Sequence, residues 1–400
     1  MTATVALAPS VSSDALASRS EISRDGFITL VVVTTLVTVS YTAPLVGRGM
    51  LWSAPAALIA LFFRARVVRI RVSASLVAFT GWLVLAGLLA GLPKGSFALM
   101  LLVGVIAAGA VCGGFDVTTI GRALIWGTAV PVAVSVVTSV GGVASAREQG
   151  ALYAGAWRGI FNQKNSLGFA AALLIVLCVT QYRELPRLTA RVLLVLAGVA
   201  LVGSRSVSAL GALAFSLTLY GLVVAIGKQR GRRLGTRALV GVAAVLCVAV
   251  VVALPRILGD FGRDPTLTGR TVMWSAFSRD AHHQLLTGYG PGGYWFSTAG
   301  KSTIASIQQT LHFAPGQAHN GVLDVVIDAG VPALLLLVVL AFAALRRALT
   351  AFQHGCSWPL LVLAFGIMTT YTERGLYSAP MLFLVAIIVS VPVPGPQPSG

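Results

Sequence analysis

The chain has 400 residues, of which 56% are hydrophobic and only 10% are charged. Soluble domains carry about 25% charged residues, so this composition excludes an ordinary soluble protein. The formal net charge of +17 would favour nucleic acid as a partner of a soluble chain, but in a membrane protein basic residues collect in cytoplasmic loops, so no nucleic-acid partner is expected.

Apolar runs long enough to cross a bilayer as helices recur along the chain. They predict an all-α, polytopic membrane protein with about 12 transmembrane helices. The predicted spans are 27–45, 49–63, 74–92, 95–115, 119–141, 166–182, 188–204, 207–227, 237–256, 331–346, 357–372 and 377–392. The predicted domain organisation is an N-terminal cytoplasmic tail (1–26), helices 1–9 (27–256), a long loop with short amphipathic helices (257–330), helices 10–12 (331–392) and a C-terminal tail (393–400).

Basic residues set the expected orientation in the lipid bilayer. With the N-terminus in the cytoplasm, 17 of the 29 Lys and Arg residues fall on the inner side, mostly in short loops, as the positive-inside rule requires. No cleavable signal is expected, because no short apolar region with a small-residue cleavage site precedes the first span. The four cysteines, which lack CxxC spacing, are read as small core residues: Cys112, Cys178, Cys247 and Cys356.

This orientation places the polar patches of the chain on one outer side. The patches are residues 157–165, 203–205, 260–320 and 373–374. Patches that are distant in sequence but share a membrane face can build one site, so we expect them to meet.

The first patch begins the predicted sixth span with the sequence WRGIFNQKNSLGF. Arg158 and Lys164 supply cations, and Asn165 supplies a donor or, with Ser166, a helix cap. The patch therefore predicts an anion-binding site. Capping together with interfacial anchoring by Trp157 is the alternative.

A second patch places Arg205 in a tight serine-rich turn between two apolar spans. The guanidinium and the free N–H groups of the following helix make a suitable phosphate site. A third, residues 268–277, has Arg270, Met273, Trp274 and Phe277 at amphipathic spacing, which predicts a helix on the membrane surface that begins near Arg270. For both arginines, snorkelling to the interface is the alternative.

The long loop also contains a glycine-rich sequence, TGYGPGGYWF at residues 287–296. Its glycines permit close backbone approach, and aromatic faces such as those of Tyr289 and Tyr294 suit sugar rings or a lipid interface. We therefore assign both tyrosines to substrate binding.

The most informative sequence is AHNGVLDVVIDAGVPALLL, residues 318–336. His319 is predicted at a helix start, where the helix dipole disfavours imidazolium and leaves the ring able to accept a proton. Asn320, Asp324 and Asp328 recur every four residues and share one helix face. Carboxylates at a membrane edge are costly unless they face protein or a wet cavity.

These motifs together resemble the O-antigen ligase and O-antigen polymerase superfamily, which includes proteins of the exopolysaccharide production type. The resemblance covers about half the chain, from Trp157 to Leu336. It rests on the order of FNQKN-x2-G (161–168), SRS (204–206), GR…W (269–274), G-x-G-P-G-G-Y (288–294) and AHN-x3-D-x3-D-A-G-V-P (318–332).

The resemblance implies a GT-C-like, inverting and metal-independent glycosyltransferase of the bacterial inner membrane that needs no cofactor. It implies an undecaprenyl-diphosphate-linked glycan donor, a glycan or lipid acceptor and a periplasmic active site, with a flippase and a chain-length regulator as expected partners. Arg205 and Arg270 would hold the donor diphosphate, and His319 would activate the acceptor hydroxyl. One departure is Asp328, where the family often has Glu.

The residues leave other classes open. A polysaccharide transporter or flippase is the principal alternative, but its charges should lie within spans near the bilayer midplane, whereas here most lie at one face. A membrane scaffold is a third. Asp324 and Asp328 keep a metal site open. The sequence does not distinguish ligase from polymerase.

Overall fold

The computed structural model describes residues 24–40, 72–91, 96–149, 153–229, 269–312 and 314–391. This part of the chain is helical, as predicted, and its only extended pairing is an isolated bridge between Arg147 and Trp157. Its helices are α1 (Arg24–Ser40), α2 (Ala74–Leu89), α3 (Ser96–Cys112), α4 (Val117–Val140), α5 (Lys164–Thr180), α6 (Arg187–Ser204), α7 (Val207–Gln229), α8 (Arg270–His282), α9 (Thr298–Leu311), α10 (Gly321–Gln353), α11 (Trp358–Thr370) and α12 (Ala379–Ser390).

Three helices are long and apolar enough to cross a membrane, namely α4, α6 and α10, and several shorter apolar helices accompany them. A helical membrane protein is thus supported, while the number of twelve spans stays a prediction. The predicted spans 49–63 and 237–256 lie outside the described residues, as do residues 1–23 and 393–400 of the predicted tails and Cys247. Cys112 and Cys178 are buried free thiols, and Cys356 is half-buried.

The core is built from pairs of closely packed helices. α12 lies along α3, α5 along α6, α1 along α4, and α2 along α10. At the first of these contacts a side chain is excluded, because a Cβ atom on Gly109 would lie 2.3 Å from the Phe383 carbonyl oxygen. α11 and α12 are buried along almost their whole length. The turn between them is therefore anchored by two buried helices.

α10 begins at Gly321, close to the helix start predicted at His319, and the predicted span 331–346 lies within this longer helix. The helix is interrupted at Gly330, whose φ of 77° and ψ of 179° are not helical. Pro332 has no N–H to donate, and the Val331 N–H turns to the Leu285 carbonyl at 2.7 Å. The kink therefore lets the backbone of α10 hydrogen-bond to the segment that follows α8.

α8 confirms the predicted helix at Arg270, but its apolar face packs against protein. Met273 and Phe277 are buried in a second hydrophobic cluster with Tyr294 and Ile307. That cluster is formed by α8, α9, the glycine-rich turn and the start of α10. The apolar spacing that predicted a membrane-surface helix thus reflects the packing of α8 into this second hydrophobic cluster.

Candidate functional site

The centre of the site is Glu373, in the turn between α11 and α12. Its side chain is 8% exposed, and its carboxylate accepts hydrogen bonds from four residues that are far apart in sequence. These donors are Asn165 Nδ2 at 2.9 Å, Gln317 Nε2 at 2.8 Å, His319 Nδ1 at 2.8 Å and Arg270 Nη2 at 3.2 Å. Two of the predicted patches, residues 157–165 and 260–320, therefore meet at a third, residues 373–374, as the common-face argument expected.

His319 is held by this carboxylate at the start of α10. It has a φ of 53°, which is uncommon for a residue with a side chain and often marks a functional position. Because a carboxylate can only accept hydrogen bonds, Nδ1 must carry the proton. Nε2 of the neutral ring is then free to accept a proton, and Glu373 stabilises the imidazolium that forms.

The charge of Glu373 is set by opposing influences. Burial by itself raises the pKa of this carboxyl, but the charge and hydrogen bond of His319, with Arg270 and Asn165, lower the pKa below its ordinary value. The group therefore stays ionised in the folded protein at neutral pH. An ionised acceptor fixes the ring orientation of His319 more strongly than a neutral one would.

Arg270 lies at the first position of α8 and connects this helix to the turn between α11 and α12. Beside its contact with Glu373, its Nη1 donates to the Thr372 carbonyl oxygen. The side chain is 14% exposed. Arg270 thus has an anchored guanidinium whose remaining N–H groups are available to a ligand.

Asn165 and Lys164 join the α6–α7 turn to the same centre. Asn165 Oδ1 accepts from Ser206 Oγ at 3.0 Å, and Lys164 Nζ donates to the Arg205 carbonyl at 3.3 Å. The prediction that Asn165 or Ser166 caps α5 is wrong, because Gln163 is the N-cap residue and Glu148 accepts from the Lys164 N–H at 2.7 Å. The Asn165 side chain is thereby left to contact Glu373.

Arg205 is the left-handed residue that ends α6, with a φ of 50°. Its side chain is exposed, and among the described residues no hydrogen bond or ion pair holds its guanidinium. Ser206 caps the next helix by accepting from the Ala209 N–H at 3.4 Å. Arg158, in contrast, is tied to backbone by its bonds to the Ser145 and Asn162 carbonyls, so its contacts are structural.

Asp324 and Asp328 share a face, as predicted, but that face is buried. Each is 1% exposed, and both lie against the Arg374 guanidinium, at 3.6 Å and 3.1 Å respectively. Asp324 also accepts from the Ala318 N–H at 3.1 Å, next to His319. Burial corrects the expectation that these carboxylates face the substrate. Through these contacts the two carboxylates fix the positions of Ala318, next to His319, and Arg374, next to Glu373. Asn320 caps α10 by accepting hydrogen bonds from the Val322 and Leu323 N–H groups.

Tyr294 and Tyr289 are joined to Asp280 near the end of α8. The Tyr294 hydroxyl donates to the Asp280 carboxylate at 2.5 Å, and the Tyr289 hydroxyl donates to the Asp280 carbonyl at 3.1 Å. Burial and this carboxylate raise the pKa of Tyr294. Tyr294 is completely buried, which corrects its assignment to substrate binding, while Tyr289 lines a separate cavity.

A cavity of about 340 Å³ opens beside His319 and Glu373. Its lining includes the polar side chains of Asn162, Gln163, Ser166 and Gln317 and apolar side chains of α1, α4, α5, α11 and α12. The cavity therefore places both polar and apolar walls beside the His319–Glu373 pair. In the part of the chain that the structure describes, no three His, Cys, Asp or Glu side chains group closely enough to hold a metal ion, and metal independence stays a prediction.

Sequence reasoning missed the roles of Glu373, Arg374 and Gln317. The signal for the first two was present, because two adjacent charges in a short turn between apolar spans are costly unless they are paired. Their partners lie 46 to 208 positions away along the chain, and no local pattern identifies them. Gln317 carried no signal of its own.

Comparison with known proteins supports the resemblance found in the sequence. Residues 192–338 match the family model described as O-Antigen ligase, and this region contains Arg205, Arg270 and His319. One relative is the exopolysaccharide production protein ExoQ of Rhizobium meliloti (strain 1021), which is 31% identical over 135 residues. That match spans 31% of this chain and 29% of the relative, so the chain is similar to less than a third of that protein. The predicted resemblance to the O-antigen ligase-like family is confirmed over these regions.

Proposed function

We propose that this protein is a glycosyltransferase that transfers or polymerises an undecaprenyl-diphosphate-linked oligosaccharide onto an acceptor hydroxyl. The observation that carries the proposal is the Glu373–His319 pair beside a cavity, with Arg270 in contact and Arg205 on the adjoining turn. A base next to cations suits a reaction in which a hydroxyl loses a proton and a diphosphate leaves.

Arg205 and Arg270 are assigned to the donor diphosphate. Planar guanidinium groups bind phosphate oxygens in two-pronged fashion, and the exposed Arg205 side chain is available for this contact. Lys164, whose ammonium lies 4.3 Å from the Tyr153 ring centroid, adds a cation to the same turn. Charge that develops on the leaving diphosphate is then met by groups already in place.

His319 is assigned as the general base. Its Nε2 removes the proton of the acceptor hydroxyl as that oxygen attacks the anomeric carbon of the donor sugar, and the bond to the lipid diphosphate breaks. Attack opposite to the leaving group inverts the configuration in a single displacement. Glu373 keeps the proton on Nδ1, and Arg374, paired with Asp324 and Asp328, holds Glu373 and His319 at their separation.

The proposed setting is the bacterial inner membrane, with a cytoplasmic N-terminus, a periplasmic site and a flippase and chain-length regulator as partners. Its support is the distribution of basic residues along the chain. Single cysteines at Ser302 and Gln229 test it with an impermeant reagent in intact cells. Labelling at position 302 with protection at 229 agrees with this orientation, and the reverse pattern contradicts it.

The function is tested by measuring donor binding and sugar transfer separately at matched protein levels. Arg205→Lys keeps the positive charge but loses the planar guanidinium that can bind two phosphate oxygens at once, so donor binding and turnover should both fall. His319→Ala should lower transfer by about 10²- to 10⁴-fold with donor binding nearly intact. Wild-type transfer by His319→Ala would refute the base assignment, and purified protein that moves lipid-linked glycan across a bilayer without transfer would establish the transporter instead.

A further inference from the structure

A second cavity lies apart from the His319 cavity. Its volume is about 560 Å³, and it shares no lining residue with the first. It is formed where the C-terminal end of α2 faces the turn between α8 and α9. Its side chains include Gln284, Thr287, Tyr289, Phe296, Ser297 and Thr298.

The chemistry of this lining favours a neutral ligand rich in hydroxyl groups. None of the described residues that line the cavity carries a charged side chain. Hydroxyls, an amide and the backbone of the glycine-rich turn supply donors and acceptors, while Phe296, which is 52% exposed, supplies an apolar ring face. A pyranose ring has the matching surfaces, with hydroxyls at its edge and C–H groups on its face. A diphosphate or a carboxylate would find no cation among these residues.

The cavity wall is held in place by α10. The Tyr289 N–H donates to the Ile327 carbonyl at 2.8 Å, and the Gly292 N–H donates to Asp328 Oδ1 at 3.1 Å. Gly288 has a φ of 61°, and a Cβ atom there would lie 2.5 Å from the Ala329 nitrogen. Only glycine fits this approach, so the turn has a fixed shape before any ligand binds.

The same helix connects the cavity to the proposed base. Asp328, which holds the turn, follows Asn320, the N-cap residue next to His319, by eight positions, or about 12 Å at 1.5 Å per residue. We propose that this second cavity binds a neutral sugar residue of the glycan chain, at a distance from the bond that reacts. The assignment rests on the proposed function and specifies which part of the substrate the glycine-rich turn recognises.

Binding can be tested without transfer. The probes are the producing strain's own exopolysaccharide, cut to one, two and three repeating units, and the readout is saturation-transfer NMR on the purified protein. The variants are Phe296→Ala and Gln284→Ala, with Phe342→Ala as the matched control, since Phe342 is 61% exposed on α10 outside both cavities. We expect signal from wild type and the control, and its loss in the other two. Absence of signal from wild type, or undiminished signal in Phe296→Ala, would overturn the subsite.

Transfer kinetics separate this inference from the proposed function. For wild type in membrane vesicles, the KM of the oligosaccharide should fall as its length increases. Phe296→Ala should remove that length dependence, with a rise in KM of roughly fivefold to tenfold for the longest probe and little change in kcat. Phe296→Trp should restore it. Transfer with an unaltered length dependence would refute the subsite alone, whereas wild-type protein that binds the probes but transfers none would refute the proposed function.

Discussion

Replacing Glu373 with Gln is the most informative perturbation of the site. The substitution keeps the shape of the side chain, but it removes the charge and turns one of two acceptor oxygens into a donor. In the protein, Oε1 accepts from Asn165 and Arg270, and Oε2 accepts from Gln317 and His319. The Gln amide must therefore direct its NH2 group at one of these pairs of donors.

Electrostatics decides between the two orientations. The guanidinium of Arg270 favours the amide oxygen on its own side, so the NH2 group faces His319. Nδ1 must then accept, and the ring proton moves to Nε2, which can no longer take a proton from a hydroxyl. We expect kcat to fall by about 10²- to 10⁴-fold, the usual contribution of a general base, while donor binding is nearly unchanged.

The assay is single-turnover transfer from lipid-linked donor, with donor binding measured on the same membranes. Glu184→Gln is the matched control, because Glu184 is an exposed carboxylate in the turn after α5, and it should behave as wild type. Transfer by Glu373→Gln within about threefold of wild type, at equal protein level, would show that the carboxylate does not set the tautomer of the base.

Three further predictions concern stability, pH and metal. Arg374→Met leaves Asp324 and Asp328 buried without their cation, so it should destabilise the protein by about 3–5 kcal/mol; an unchanged melting temperature in detergent would contradict the buried network. The folded-state pKa of Glu373 is lowered, so its ionised contacts stabilise the protein above the ordinary pKa of 4.5 and are lost as the pH falls through the lowered value. Wild type should therefore melt above Glu373→Gln at pH 7, and a difference that persists at strongly acidic pH would disprove this linkage. Chelator should leave transfer intact, and activity restored only by a divalent ion would show that metal is required.

Local sequence patterns predicted much of the helical framework. Apolar runs located the ends of α4 and α7 to within two residues, because the length of hydrocarbon to be crossed and the polar residues at each end limit where a helix can begin and stop. The four-residue repeat of Asp324 and Asp328 predicted a shared face for the same reason, since helical periodicity is local.

Long-range contacts decided what those residues do. The sequence alone assigned Asp324, Asp328 and Tyr294 to substrate, but the fold buries all three. It also assigned no role to Glu373, which becomes the centre of the site because three separate segments deliver donors to it. A residue's partners depend on how helices pack, and that packing brings together positions whose separation in sequence carries no periodic signal. The sequence by itself thus determined which segments carry the polar and titratable residues and predicted that they share one membrane face, while the tertiary structure decided which of these residues meet.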